Sequence, residues 1–179
     1  MISIKNVTKR YNEFVAVDDL SVDIDSFELF VIIGPSGSGK STTMKMINRL
    51  IDTTDGEIYI DDKNINDFDP VELRRSMGYV IQDVGLMPHM TIAENISLVN
   101  RLKGEKRDDN RVDELLTMVG MDPVEFRERY PEELSGGQQQ RIGVIRALYS
   151  NPNIILMDEP FSALDPVTKL QLQDEFLRI

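Results

Sequence analysis

The sequence predicts an α/β fold, and three observations carry that prediction: period-two alternation near the N-terminus, two wholly apolar runs, and helical spacing between them. Ile2, Ile4 and Val7, then Val15, Val17, Leu20, Val22 and Ile24, stand largely at alternate positions, as in an antiparallel sheet with one buried face. Residues 29–33, Leu-Phe-Val-Ile-Ile, form the first apolar run and predict a strand buried on both faces. Residues 58–60 and 77–81 predict further strands, with turn signals at Asp55-Gly56 and Asp61-Asp62. From residue 91 to 147 the spacing is helical, as with Val112, Leu115, Leu116 and Val119, and Gly120 is placed to end that helix. Residues 154–157, Ile-Ile-Leu-Met, form the second apolar run. The expected organisation is a β subdomain and the first part of the core over residues 1–86, a helical subdomain over 87–150, and a return to the core over 151–179.

Bulk properties exclude several classes of function. With 179 residues, 41% of them hydrophobic, the chain can bury one real core. A formal net charge of -11 argues against nucleic acid or an anionic lipid surface, because both recruit dense Lys/Arg patches. There is no cysteine, so disulfides, thiolate metal ligands and a thiol nucleophile are excluded, which fits a reducing cytoplasm. Residues 1–11 lack the apolar stretch of a signal peptide, and no apolar run approaches the roughly 20 residues needed to span a bilayer. Membrane association is expected through a partner.

Two motifs point to phosphate chemistry. Gly34-Pro35-Ser36-Gly37-Ser38-Gly39-Lys40-Ser41 fits G-x-x-x-x-G-K-[ST], between a predicted buried strand and a predicted helix. In such a loop the glycines let backbone N–H groups converge on phosphate oxygens, and the helix N-terminus adds partial positive charge. Lys40 would then reach the β- and γ-phosphates of a nucleotide, Ser41 would ligate Mg²⁺, and Thr42 would contact the α-phosphate. Asp158 and Glu159 follow the second apolar run, at the strand end where ligands collect in parallel sheets. Asp158 suits Mg²⁺, and Glu159 suits polarisation of an attacking water. Taken alone, an acidic pair after a strand is a common boundary feature.

A third motif narrows the family. Leu134-Ser135-Gly136-Gly137-Gln138 precedes a helical run, with Ser135 as N-cap and two glycines exposing N–H groups at the helix start, a second anion site. With this motif the sequence resembles the ABC ATPases along nearly its whole length. The resemblance implies a P-loop NTPase (RecA-like) core with an N-terminal antiparallel β subdomain and an inserted helical subdomain. It also implies ATP and Mg²⁺ as ligands, a head-to-tail homodimer in which the signature of one subunit covers ATP on the other, integral membrane permease subunits, a solute-binding subunit, and a peripheral place on the cytoplasmic face of the membrane. Carried over by position, Tyr11 would stack on adenine, Gln82 would sense Mg²⁺ and the attacking water, and Asp165 would reach the opposite subunit's phosphate loop.

Two departures qualify the resemblance. Where the family turn before the phosphate-loop strand usually carries glycine, this chain reads Asp25-Ser26-Phe27-Glu28. The family's switch histidine lies beyond Ile179, so the C-terminal part of the core is missing from this chain; His89 is a loop histidine and does not correspond to it. Residues 44–50, 69–75, 78–82 and 85–95 are most similar to importers of glycine betaine, carnitine and choline. Importers of polar amino acids, and a truncated fragment that binds nucleotide without turning it over, are the alternatives. A soluble ABC ATPase working on nucleic acid would be expected to carry a basic surface, tandem cassettes or a coiled-coil insertion instead.

Overall fold

The computed structural model describes residues 1–82, 84–160 and 169, and the chain divides into two compact units, Met1–Arg74 and Arg75–Ile179.

In the first unit β1 (Ile2–Tyr11) pairs antiparallel with β2 (Phe14–Ile24) on one side and β3 (Asp55–Ile60) on the other, and β4 (Lys63–Asn64) closes the sheet in the order β2-β1-β3-β4. The alternation read from the sequence becomes a buried face of Ile2, Ile4, Val7, Val17, Ile58 and Ile60. Register shifts after Ile4 and Val7 explain why the alternation is imperfect: a bulge adds a residue and resets which face follows. α1 (Lys40–Ile47) buries Met46 and Ile47. Asp55-Gly56 opens β3 rather than forming a separate turn, whereas Asp61 and Asp62 make the expected turn into β4, both with positive φ.

Residues 29–33 depart from expectation. They form no strand, and Ile33 is 88% exposed. Apolar composition reports that a segment would gain by burial; it carries no information about which strand supplies the neighbouring N–H and C=O groups, and no strand pairs with 29–33 among the described residues. The turn just before it holds Phe27 at φ 64, closed by Glu28 N–H donating to the Asp25 carbonyl at 3.4 Å. That left-handed position is where a glycine would be unstrained.

In the second unit β5 (Met77–Val80) and β6 (Ile154–Met157) pair in parallel, Val80 opposite Met157. Around them are α3 (Ile92–Ile96), α4 (Leu98–Leu102), α5 (Asp109–Met118), α6 (Pro123–Phe126) and α7 (Gly136–Leu148), with α2 (Pro70–Ser76) leading in from the first unit. The helical core is Ile92, Ile96, Val112, Leu115, Leu116, Phe126, Ile142 and Ile145 with their neighbours. Thr91 and Asp108 cap α3 and α5 through side-chain oxygens, and Gly120, with φ 68, follows the last residue of α5's cap as expected. Among the described residues, no helix is long and apolar enough to cross a membrane.

Candidate functional site

The phosphate loop lies in the first unit between residue 33 and α1. Gly37 and Gly39 hold φ 81 and 89, in the left-handed region, and a Cβ on Gly39 would stand 2.4 Å from the Ala16 carbonyl oxygen. Only glycine fits there. Gly39 also starts α1 with no side chain to cap it, so the cap supplies no side-chain acceptor to the first-turn N–H groups. Lys40 folds back over the loop, its Nζ donating to the carbonyls of Gly34 and Pro35 at 2.9 Å each. Gly34, Pro35, Ser36, Gly37 and Ser38 are exposed; Ser41 and Thr42 are half-buried on the first turn of α1. An ammonium group and helix N–H groups left uncapped by a side chain, ringed by small residues, fit an anionic, phosphate-bearing ligand. Tyr11 ends β1, is 46% exposed as a residue, and has the Lys9 ammonium 5.2 Å from its ring centre.

In the second unit the parallel register brings Gln82, Asp158 and Glu159 out at the same ends of neighbouring strands. Asp158 N–H continues the ladder, donating to the Val80 carbonyl at 2.9 Å, and its side chain is buried. Burial, and then the Asp158 carboxylate, raise the pKa of the Tyr79 phenol. Glu159 is exposed and sits at φ 49, a left-handed backbone that costs a side-chain-bearing residue about 1–3 kcal/mol. Gln82 Nε2 donates to Glu159 Oε2 over 3.4 Å, a long contact of the kind that tightens around a substrate. Within this unit, Gln82 and Asp158 each carry a side-chain oxygen of the kind a hard divalent cation takes.

The signature opens α7 through a capping box. Ser135 Oγ accepts from Gln138 N–H at 3.3 Å and Gln138 Oε1 accepts from Ser135 N–H at 2.8 Å, with Leu134 buried beneath. Gly136 and Gly137 occupy the first turn, and a Cβ on Gly136 would meet open space. Asp165 lies outside the described residues.

Spacing alone did not reveal three side chains that the structure makes prominent. Arg146 donates to the carbonyls of Val84 and Gly85 at 2.6 and 2.8 Å, and burial lowers the pKa of its guanidinium. Gln140, only 2% exposed, donates to the Pro160 carbonyl at 2.8 Å. Asn95, fully buried, accepts from Met87 N–H at 2.7 Å and lies within 3.1 Å of the carbonyls of Met87, Met90 and Thr91, fixing the turn that carries exposed His89. Replacing Asn95 with Ala is therefore expected to cost about 2–3 kcal/mol of stability, since buried backbone groups lose their partners. Denaturant unfolding checks this, and a loss under about 0.5 kcal/mol would mean the turn holds without that side chain.

A sequence profile described as ABC transporter matches residues 17–162. This chain belongs to the ABC transporter family. It is 59% identical over 179 residues to a carnitine transport ATP-binding protein of Listeria monocytogenes, an alignment covering 98% of this chain and 45% of that protein. It is 56% identical over 182 residues to a choline transport ATP-binding protein of Bacillus subtilis, covering 100% and 48% respectively. An osmoprotectant import ATP-binding protein of Salmonella typhimurium is 50% identical over 184 residues, covering 99% of this chain and 48% of that protein. The chain thus spans about half the length of the curated relatives it matches. Among solved structures, the dimeric bacterial ABC transporter cassette MJ0796 matches with a TM-score of 0.88 and 40% identity, over 98% of this chain and 81% of that one. A post-hydrolysis state of the same cassette, bound to ADP and Pi, matches with a TM-score of 0.87 and 39% identity over the same shares. The fold of this ABC chain is that of an ABC cassette, with its antiparallel N-terminal sheet and its helices.

Proposed function

We propose that this chain is the ATP-binding and ATP-hydrolysing part of the subunit that powers an importer of quaternary-amine osmoprotectants such as glycine betaine, carnitine or choline. The observation that carries the catalytic half is the approach of Gln82 to Glu159, 77 positions apart in sequence and held together by adjacent parallel strands. A carboxylate on an exposed, strained turn with an amide donor beside it is equipped to orient a water and accept its proton. On this reading Lys40 and the backbone N–H groups of the loop from Gly34 to Thr42, all but Pro35 having one, hold the phosphates, and Tyr11 supports the adenine. Mg²⁺, when bound, would offset the charge of the β- and γ-phosphate oxygens, with Ser41, Gln82 and Asp158 as its protein-side oxygen donors. Leu134, Ser135, Gly136, Gly137 and Gln138 cover the nucleotide of a second copy arranged head to tail, and Asp165 reaches that copy's phosphate loop. The helical subdomain, residues 87–150, and the segment after Gln82 face a membrane-embedded permease, which holds the chain at the cytoplasmic side of the membrane. The solute class rests on the names of the similar proteins from Listeria, Bacillus and Salmonella.

The test is uptake. The full-length protein with its permease and solute-binding partners, in vesicles loaded with Mg-ATP, should accumulate labelled glycine betaine, carnitine or choline. ATP-driven uptake of a polar amino acid in preference to all three would replace the solute assignment. Met87 is exposed and its backbone is fixed by Asn95, so it can present a side chain to a partner without moving. Met87→Glu would bury an unpaired charge in that contact and should cut uptake about tenfold or more, with basal ATPase nearly unchanged. Equal uptake by variant and parent would place the permease elsewhere.

A further inference from the structure

Glu159 is strained, and the residues on both sides of it are tied down. Before it, Asp158 N–H is bonded to the Val80 carbonyl of β5; after it, the Pro160 carbonyl accepts from Gln140 Nε2 at 2.8 Å. The first tie is an ordinary step of the β5–β6 ladder. The second comes from a buried side chain on α7, two residues past the capping box that shapes the signature.

The same helix also grips the chain beyond Gln82. A Cβ on Gly143 would stand 2.8 Å from Val84 Cγ1, so that segment lies directly on the helix surface, and Arg146 then holds the carbonyls of Val84 and Gly85. Gln140, Gly143 and Arg146 recur at every third position, which places them along one side of α7. One rigid helix thus fastens the two segments whose side chains, Gln82 and Glu159, meet at 3.4 Å.

We propose that Gln140 and Arg146 are positioning residues for hydrolysis: Gln140 holds Glu159 in its left-handed turn, and Arg146 fixes the segment that follows Gln82. This rests on the reading of Glu159 as the group acting on water. Without the Gln140 contact the turn loses the tie that follows Glu159 among the described residues, and relaxation of the φ 49 backbone toward a commoner conformation would swing the carboxylate away from Gln82. Nucleotide binding depends on the phosphate loop and is untouched. A positioning role therefore predicts a fall in kcat with little change in KM, and a dependence on the carboxylate it positions.

The experiment is a double-mutant cycle in the full-length protein. Gln140→Met keeps length and removes the donor; it should lower kcat about tenfold with KM for ATP within about twofold. In a Glu159→Gln background, read by single turnover, the same change should cost less than about twofold, because there is no longer a carboxylate to place. Arg146→Lys, which keeps the charge but cannot fork to two carbonyls, is the second variant and keeps the test open if Gln140→Met fails to fold. It should show the same split between kcat and KM. Loss of thermal stability with unchanged kcat, or an equal kcat loss in both backgrounds, overturns the proposal. Parent-like turnover by Glu159→Gln alone is a separate outcome: it removes the catalytic reading of Glu159, and this inference with it.

Discussion

Glu159→Gln in the full-length protein is expected to slow ATP hydrolysis by about 10²–10⁴-fold while leaving ATP affinity within about twofold. The substitution is nearly isosteric, so the strained turn between the Val80 carbonyl and Gln140 has no steric reason to change. An amide oxygen can still accept the Gln82 bond. What disappears is a group able to take a proton from water. Steady-state turnover and equilibrium nucleotide binding, measured on the same preparation, separate the two effects. Turnover within about threefold of the parent would show that the water is oriented by another group, Gln82, which already contacts Glu159, being the first candidate.

The phosphate loop and the signature were legible because each makes backbone demands that few residue types meet, whereas the acidic pair gained its meaning from standing beside them. Gly39 must be left-handed and must let the chain pass Ala16, a requirement written into one letter. Ser135 and Gln138 stand at the spacing of a capping box, and the structure forms it. The Gln run at 138–140 shows the limit. The same letter three times has three different partners: Gln138 closes the capping box, Gln139 donates to the Pro131 and Leu134 carbonyls, and Gln140 reaches Pro160. Successive helix positions point about 100° apart, so neighbouring residues meet different surroundings that only the tertiary fold defines.

Strands were predicted well where the buried pattern coincides with a paired ladder, as in β1, β2 and β6. At residues 29–33 the two parted, because side-chain pattern and backbone pairing are separate requirements and only the first is visible in a single sequence. Arg146 escaped for a related reason. As a basic residue in the last turn of α7 it reads as a helix-end charge facing solvent, yet its guanidinium is spent on two carbonyls 61 and 62 positions earlier.

Lys40→Ala is expected to raise the Kd for ATP by about 100-fold or more, since a charge-assisted phosphate contact contributes roughly 1.5–3 kcal/mol and Lys40 is placed to make more than one. Its present bonds to the Gly34 and Pro35 carbonyls matter to this estimate. They hold the ammonium at the mouth of the loop, so little side-chain entropy remains to be lost when phosphate arrives. They also neutralise two carbonyl dipoles that would otherwise face an incoming anion. Ala removes the charge and uncovers those carbonyls together, whereas Lys40→Arg keeps the charge in a longer, planar group that cannot reproduce the same compact contact. The expected order of affinity is therefore parent, then Arg, then Ala, measured by equilibrium nucleotide titration in the presence of Mg²⁺. Similar Kd values for all three would mean that the loop's backbone N–H groups alone hold the phosphates. The fold of the loop itself should survive in each variant, because its left-handed turns depend on Gly37 and Gly39 rather than on the lysine.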